Sequence, residues 1–138
     1  MLIRRPDFYQ TPSHFSTICT PLLNQVENVD VDLNQEEVIP TIIELAAVTD
    51  SPEQRKELNA SLLNHMRSKK AAVRLSAVRC QMGLVIRLGH DWLSLLPEML
   101  PLINELQEDD DEKVEHETLR WMQKIEETIG ENLAPMLR

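Results

Sequence analysis

Residues 62–89 of this chain, LLNHMRSKKAAVRLSAVRCQMGLVIRLG, recur as residues 102–130, LINELQEDDDEKVEHETLRWMQKIEETIG, with one residue inserted in the turn. Leu62, Leu63 and Met66 fall on Leu102, Ile103 and Leu106 at an offset of 40, and Val73, Val78, Arg79, Leu84, Leu88 and Gly89 fall on Val114, Leu119, Arg120, Ile125, Ile129 and Gly130 at 41. Both copies read as helix, turn, helix. A lone pair of this kind leaves one apolar face bare, so a chain that repeats it must stack the copies to make a core.

The helix signals follow one another along the chain. TPSHFSTICTPLLNQVEN opens with Thr11 as N-cap and Pro12 at the first helical position, and LNQEEVIPTIIELAAVTD puts Val38, Ile42, Leu45 and Val48 on one face. Ser51, Pro52 and Gln54 form a capping-box pattern that starts a third helix through Leu58, Leu62, Leu63 and Met66. The fourth, Ala71 to Leu88, is apolar on two sides, so it should pack between layers; Gly89 stops it. Asp91 is placed to cap the next helix, DWLSLLPEMLPLINELQ, which Pro97 and Pro101 must bend or split. The last, Glu112 to Ile129, should turn Val114, Leu119, Met122, Ile125 and Ile129 inward, and Gly130 ends it.

The period of about 40 residues is that of HEAT or armadillo units. Fainter echoes lie upstream, where TPLLNQV and IPTIIEL resemble LPLINEL, with Pro21, Pro40 and Pro101 in the matching place. The expected architecture is all-α, a short HEAT-type α-solenoid of antiparallel helix hairpins with about six helices. Residues 1–10 read as a flexible N-terminal segment and 11–138 as the repeat domain, with hairpins near 11–49, 51–89 and 91–130. An irregular helix bundle is the bland alternative, and the repeat argues against it. The final helix carries the polar outer face of a cap, while the N-terminal side shows none, so the reading is the C-terminal cap of a longer array.

Aromatic residues make up only 4% of the chain and there are three glycines, which suits a helical protein and leaves little material for a phosphate-cradling loop. Cys19 and Cys80 stand far apart in apolar helical contexts, as buried free thiols of a reducing compartment rather than a disulfide framework. No apolar run has the length of a signal sequence or a membrane span, which points to a soluble intracellular protein. The net charge of −9 is unevenly spread: residues 1–50 carry −6, 51–90 carry +6 and 91–138 carry −9.

The densest charge lies in the second copy's turn, where Glu105, Glu108, Asp109, Asp110, Asp111, Glu112, Glu115 and Glu117 crowd between two apolar runs. A calcium loop needs alternating ligands and a glycine at its bend, and this run has no glycine and enters a helix at once. The structural reading is that Asp109, Asp110 or Asp111 caps the last helix and that its carboxylates suit the positive end of the dipole. The first copy's turn is opposite in sign: Arg67, Lys69, Lys70 and Arg74 put cations at a helix N-terminus, the unfavourable end. Equivalent turns of stacked units lie side by side, so Arg74 and Lys70 are expected to pair with Asp109, Asp110 and Asp111 across the repeat boundary. The competing reading makes Arg67, Lys69, Lys70, Arg74 and Arg79 a ridge for RNA phosphate or an acidic partner, though without interleaved aromatics. The four histidines lack paired ligand spacing, and no nucleophile, acid and base set can be assembled, so neither cofactor, metal nor small-molecule substrate is expected.

RSKKAAVRLSAVRC, LGHDWLSLLPEMLPLINELQEDDDEKVE and WMQKIEETIGENLAPML resemble the C-terminal HEAT region of the U3 small nucleolar RNA-associated protein 10 family, most of all its fungal members. The resemblance runs from about Phe15 to Leu137 and is strongest after Ser51. It implies a non-enzymatic scaffold of the nucleolar small-subunit processome. Its partners would be other processome subunits and, within the complex, pre-ribosomal RNA; its work would support small-subunit rRNA maturation and link to rDNA transcription. A HEAT adaptor outside ribosome assembly, such as a transport receptor fragment, is the alternative of the same mechanism.

Overall fold

The structure, a computed structural model, describes residues 38–49 and 51–137; the helix expected over residues 11–26 and the segment 1–10 lie outside them. Among the described residues there are six α-helices and no strand: α1 Ile39–Val48, α2 Pro52–His65, α3 Ala71–Leu88, α4 His90–Leu93, α5 Leu96–Leu106 and α6 Glu112–Ile129, followed by a 3-10 turn, Ala134–Leu137.

Short-range chemistry sets most of these boundaries. Ser51 Oγ accepts the Gln54 N–H at 3.3 Å, one half of a capping box. The reciprocal half is different from the expected one. The Ser51 N–H donates at 3.3 Å to the Thr49 hydroxyl, which in turn donates to Gln54 Oε1, so a buried threonine ahead of the helix replaces the direct return contact. At the start of α6, Asp111 Oδ1 accepts from the N–H groups of Lys113 and Val114 at 2.9 and 3.1 Å. Gly130 closes that helix in the left-handed region at φ 74°, donating 2.8 Å to the Glu126 carbonyl.

The segment after α3 corrects one expectation. Gly89, at φ 56°, both ends α3 and serves as the N-cap of α4, so Asp91 lies inside the first turn of α4 instead of capping it. The glycine's positive φ lets the chain re-enter a helix at the very next residue. Pro97 then splits the expected single helix: α4 stops at Leu93, and α5 restarts with Pro97 in its first turn, where a missing N–H costs nothing. Pro101, one turn later, stays inside α5.

α3 is the centre of the packing. It lies against α1 on one side and α6 on the other, with α2 across it, and α5 packs on α6 while the closing 3-10 turn covers α5. Helices α1, α3 and α6 thus stand in a row, with α2 packed on α3 and α5 on α6, in an all-α HEAT-like fold. Both apolar sides of α3 are used: Val73, Ala77, Cys80 and Leu84 are buried, and so are Leu75, Val78 and Val85. The core continues through Ile42, Leu58, Leu62, Met99, Ile103, Trp92, Trp121 and Ile125.

On α6 the inward stripe is Val114, Thr118, Trp121 and Ile125, and Leu119, expected inward, is 49% exposed. Five residues beyond Val114, Leu119 sits about 140° around the helix, off the stripe. Its counterpart in the preceding pair, Val78, is 0% exposed because α3 is flanked by α1 on one side and α6 on the other. The repeated apolar position is filled in both copies and covered in one.

Candidate interaction surface

The basic and acidic turns of the two helix pairs meet. Arg74 Nε and Nη2 each donate to a different oxygen of Asp109 at 3.0 Å, and Arg74 Nη1 donates at 2.9 Å to the Ser68 carbonyl of its own turn. Asp109 Oδ1 also accepts the Asp111 N–H at 2.9 Å. The pair is largely withdrawn from water, with side-chain exposures of 16% and 9%. One guanidinium therefore fixes two consecutive inter-helix turns and steadies the aspartate that caps α6. Lys70, Asp110 and Asp111 stand outside this ion pair; Lys70 is the exposed N-cap residue of α3.

The other cations of the ridge are divided between contacts and solvent. Arg67 lies 3.9 Å from Glu105, both well exposed, and Arg79 lies 3.5 Å from the buried carboxylate of Glu117. Lys69 and Lys70 are exposed and take part in none of the ion pairs among the described residues. Of the acidic run, Glu105, Glu108, Asp110 and Glu112 face solvent, whereas Asp109 and Asp111 are committed to the clasp and the cap.

A second network had no sequence signal. The Trp92 indole N–H donates to Gln81 Oε1 at 2.9 Å, Gln81 Nε2 donates to Asn59 Oδ1 at 2.7 Å, and Asn59 Nδ2 donates to Glu98 Oε2 at 3.3 Å. Trp92, Gln81 and Asn59 are all inaccessible to water. The relay ties α4, α3, α2 and α5 together. Each amide is satisfied on both ends, which turns a desolvation cost into a device that specifies one packing. Only the three-dimensional neighbours identify it; a lone Gln in an apolar helix looks like a surface residue.

A groove of about 520 Å³ lies where α1, α3 and α6 come together. Its apolar part is Pro40 and Ile43 of α1 with Met82, Gly83 and Ile86 of α3. At Gly83 a Cβ would overlap Ile43 Cδ1, so the glycine lets α1 lie close against α3. Its polar end is Arg79, Glu117 and Arg120, where Glu117 accepts from Arg120 at 2.9 Å and faces Arg79 at 3.5 Å. At the opposite rim Glu44 is paired with Arg87 at 3.3 Å.

Among the described residues no group of three or more His, Cys, Asp or Glu side chains is placed to hold a metal ion, and no helix is long and apolar enough to cross a membrane. What the surface offers is a groove with apolar and guanidinium lining, a patch of exposed lysines and an acidic turn.

No protein-family model matches the chain. It is 51% identical over 131 residues to a protein of Chaetomium globosum named U3 small nucleolar RNA-associated protein 10, and 52% and 48% identical over 132 residues to proteins of that name from Phaeosphaeria nodorum and Neurospora crassa. Each match takes in 95% of this chain but only 7–8% of the relative, so the chain spans about a twelfth of their length.

Proposed function

From the homology of this chain to a segment of the U3 small nucleolar RNA-associated protein 10 family, we propose that it is a non-catalytic interaction module of the small-subunit processome, working in the nucleolus. There it would be one segment of a long HEAT-type solenoid that supports pre-rRNA processing and small-subunit rRNA maturation and is linked to rDNA transcription. The observation that carries this reading is the identity of about half of all positions across 95% of the chain. The fold supports it. Successive helix pairs locked by Arg74 and Asp109 make a stiff element that presents the row α1, α3, α6 to a partner without reorganising.

The state of the basic ridge weighs against direct RNA contact as the main role. Arg74 and Arg79 already face buried or nearly buried carboxylates, which leaves Lys69, Lys70 and the exposed Arg67 for phosphate. The test is cross-linking mass spectrometry on nucleolar particles purified through a relative that contains this segment. Cross-links from its lysines to processome subunits are expected. Links confined to nuclear transport receptors, or none to processome subunits, would overturn the assignment and favour a HEAT adaptor outside ribosome assembly.

A further inference from the structure

We propose that the groove between α1, α3 and α6 receives an apolar segment of a partner protein that carries a carboxylate. The partner's apolar side chains lie on Ile43, Met82 and Ile86, and its carboxylate lies against Arg120 and Arg79. The proposal rests on the preceding reading only in taking this chain as an interaction module, and it adds the chemistry of what binds.

Two independent features of the groove select this occupant. The first is its apolar wall. Ile86 is 66% exposed, and it is not alone: Pro40, Ile43 and Met82 line the same groove beside it. A single exposed isoleucine is ordinary on a protein surface, but a contiguous apolar cleft is what a binding site looks like. The groove of about 520 Å³ has room for a few side chains of an amphipathic segment.

The second is charge. Arg79 and Arg120 share the one carboxylate of Glu117, so the polar end holds two guanidiniums against a single buried anion. Arg120 is half exposed and Nη1 is committed to Glu117, which leaves further donors of its planar fork for another carboxylate. The acidic side chain on the far rim, Glu44, is already matched by Arg87. This polar end, two guanidiniums on one carboxylate, complements an acidic partner. RNA phosphate would satisfy the arginines but not the apolar wall, and none of the residues lining the groove is an aromatic that could stack a base.

Peptide display against the full 138-residue chain tests the proposal, followed by affinity measurement of one selected peptide on wild type and two surface variants, Ile86→Asp and Arg120→Gln. Thermal midpoints confirm that both variants stay folded; if Arg120→Gln does not, Arg87→Gln across the rim serves as a folded control and replacing the peptide's acid by its amide substitutes for it. Selected peptides should combine two or three apolar residues with an Asp or Glu. Ile86→Asp should weaken binding about tenfold or more, the loss expected from a central contact. Arg120→Gln, or the amide form of the peptide, should weaken it by a similar factor. Peptides that are basic, that bind Ile86→Asp as well as wild type, or that fail to be selected at all would overturn the proposal. So would binding of a single-stranded RNA oligonucleotide that depends on Arg120 but not on Ile86. These readouts do not involve the nucleolar particle, so the groove proposal and the processome assignment fail separately.

Discussion

Arg74 holds Asp109 through two parallel hydrogen bonds of 3.0 Å, thirty-five residues apart in sequence and in successive helix-pair turns. The arginine stands at the N-terminal end of α3, where a cation is unfavourable to the helix dipole, and the aspartate in the neighbouring turn answers it. Because Asp109 also accepts the Asp111 N–H, the same contact braces the cap of α6.

Arg74→Ala should therefore destabilise the chain by ~2–3 kcal/mol, more than an exposed ion pair is worth, since it strands a nearly buried carboxylate. Arg74→Lys should recover only part of this, because an ammonium cannot reproduce two parallel bonds and reach the Ser68 carbonyl. Urea denaturation of Arg74→Ala, Asp109→Ala and the double variant gives the coupling; additive losses would show that the two side chains do not act together.

Gln81→Leu should cost ~3 kcal/mol or more, although it adds an apolar side chain to an apolar helix. It leaves both the Trp92 indole N–H and Asn59 Oδ1 without their partner in a site closed to water. Trp92 fluorescence and the denaturation midpoint should move together, whereas Gln123→Leu, at an exposed position of α6, should leave both within ~0.5 kcal/mol of wild type.

Gly83 makes a distinct prediction. Alanine there gains ~1 kcal/mol of helix propensity and loses a similar amount by displacing the Ile43 terminal methyl, so Gly83→Ala should lie close to wild type. Gly83→Val should cost ~2 kcal/mol by pushing α1 off α3. Adding Ile43→Ala should relieve most of that cost, and a thermal-melt series that showed no such rescue would mean α1 does not rest on Gly83.

The repeat pair Val78 and Leu119 offers an internal control. Val78→Ala should cost ~2 kcal/mol, while Leu119→Ala should cost well under ~1 kcal/mol, because the first is covered by neighbours and the second is half in water. Equal losses, measured by differential scanning calorimetry, would contradict this difference in burial.

Much of the local structure was legible along the chain. The span Ala71–Leu88, the end at Gly130 and an aspartate cap ahead of α6 follow from apolar spacing and from side chains that satisfy helix ends, which are interactions over three or four residues. Asp91 shows the limit of that logic, since a side chain suited to capping lost its place to a glycine whose backbone turned two residues earlier.

What the sequence determined by itself is the repeating unit: two helices and a turn whose apolar residues recur at 40 and 41 positions and demand a stacked neighbour. Only the tertiary structure decided which members of a repeated position are covered, so that Val78 is core and Leu119 is surface. It also decided which charges are spent inside, leaving Lys69 and Lys70 outward while Arg74 and Arg79 turn to Asp109 and Glu117. The reason is physical. Periodicity reports a residue's own preference for water, while burial and pairing depend on which helix lies across from it, and that is set by contacts between residues far apart in the chain.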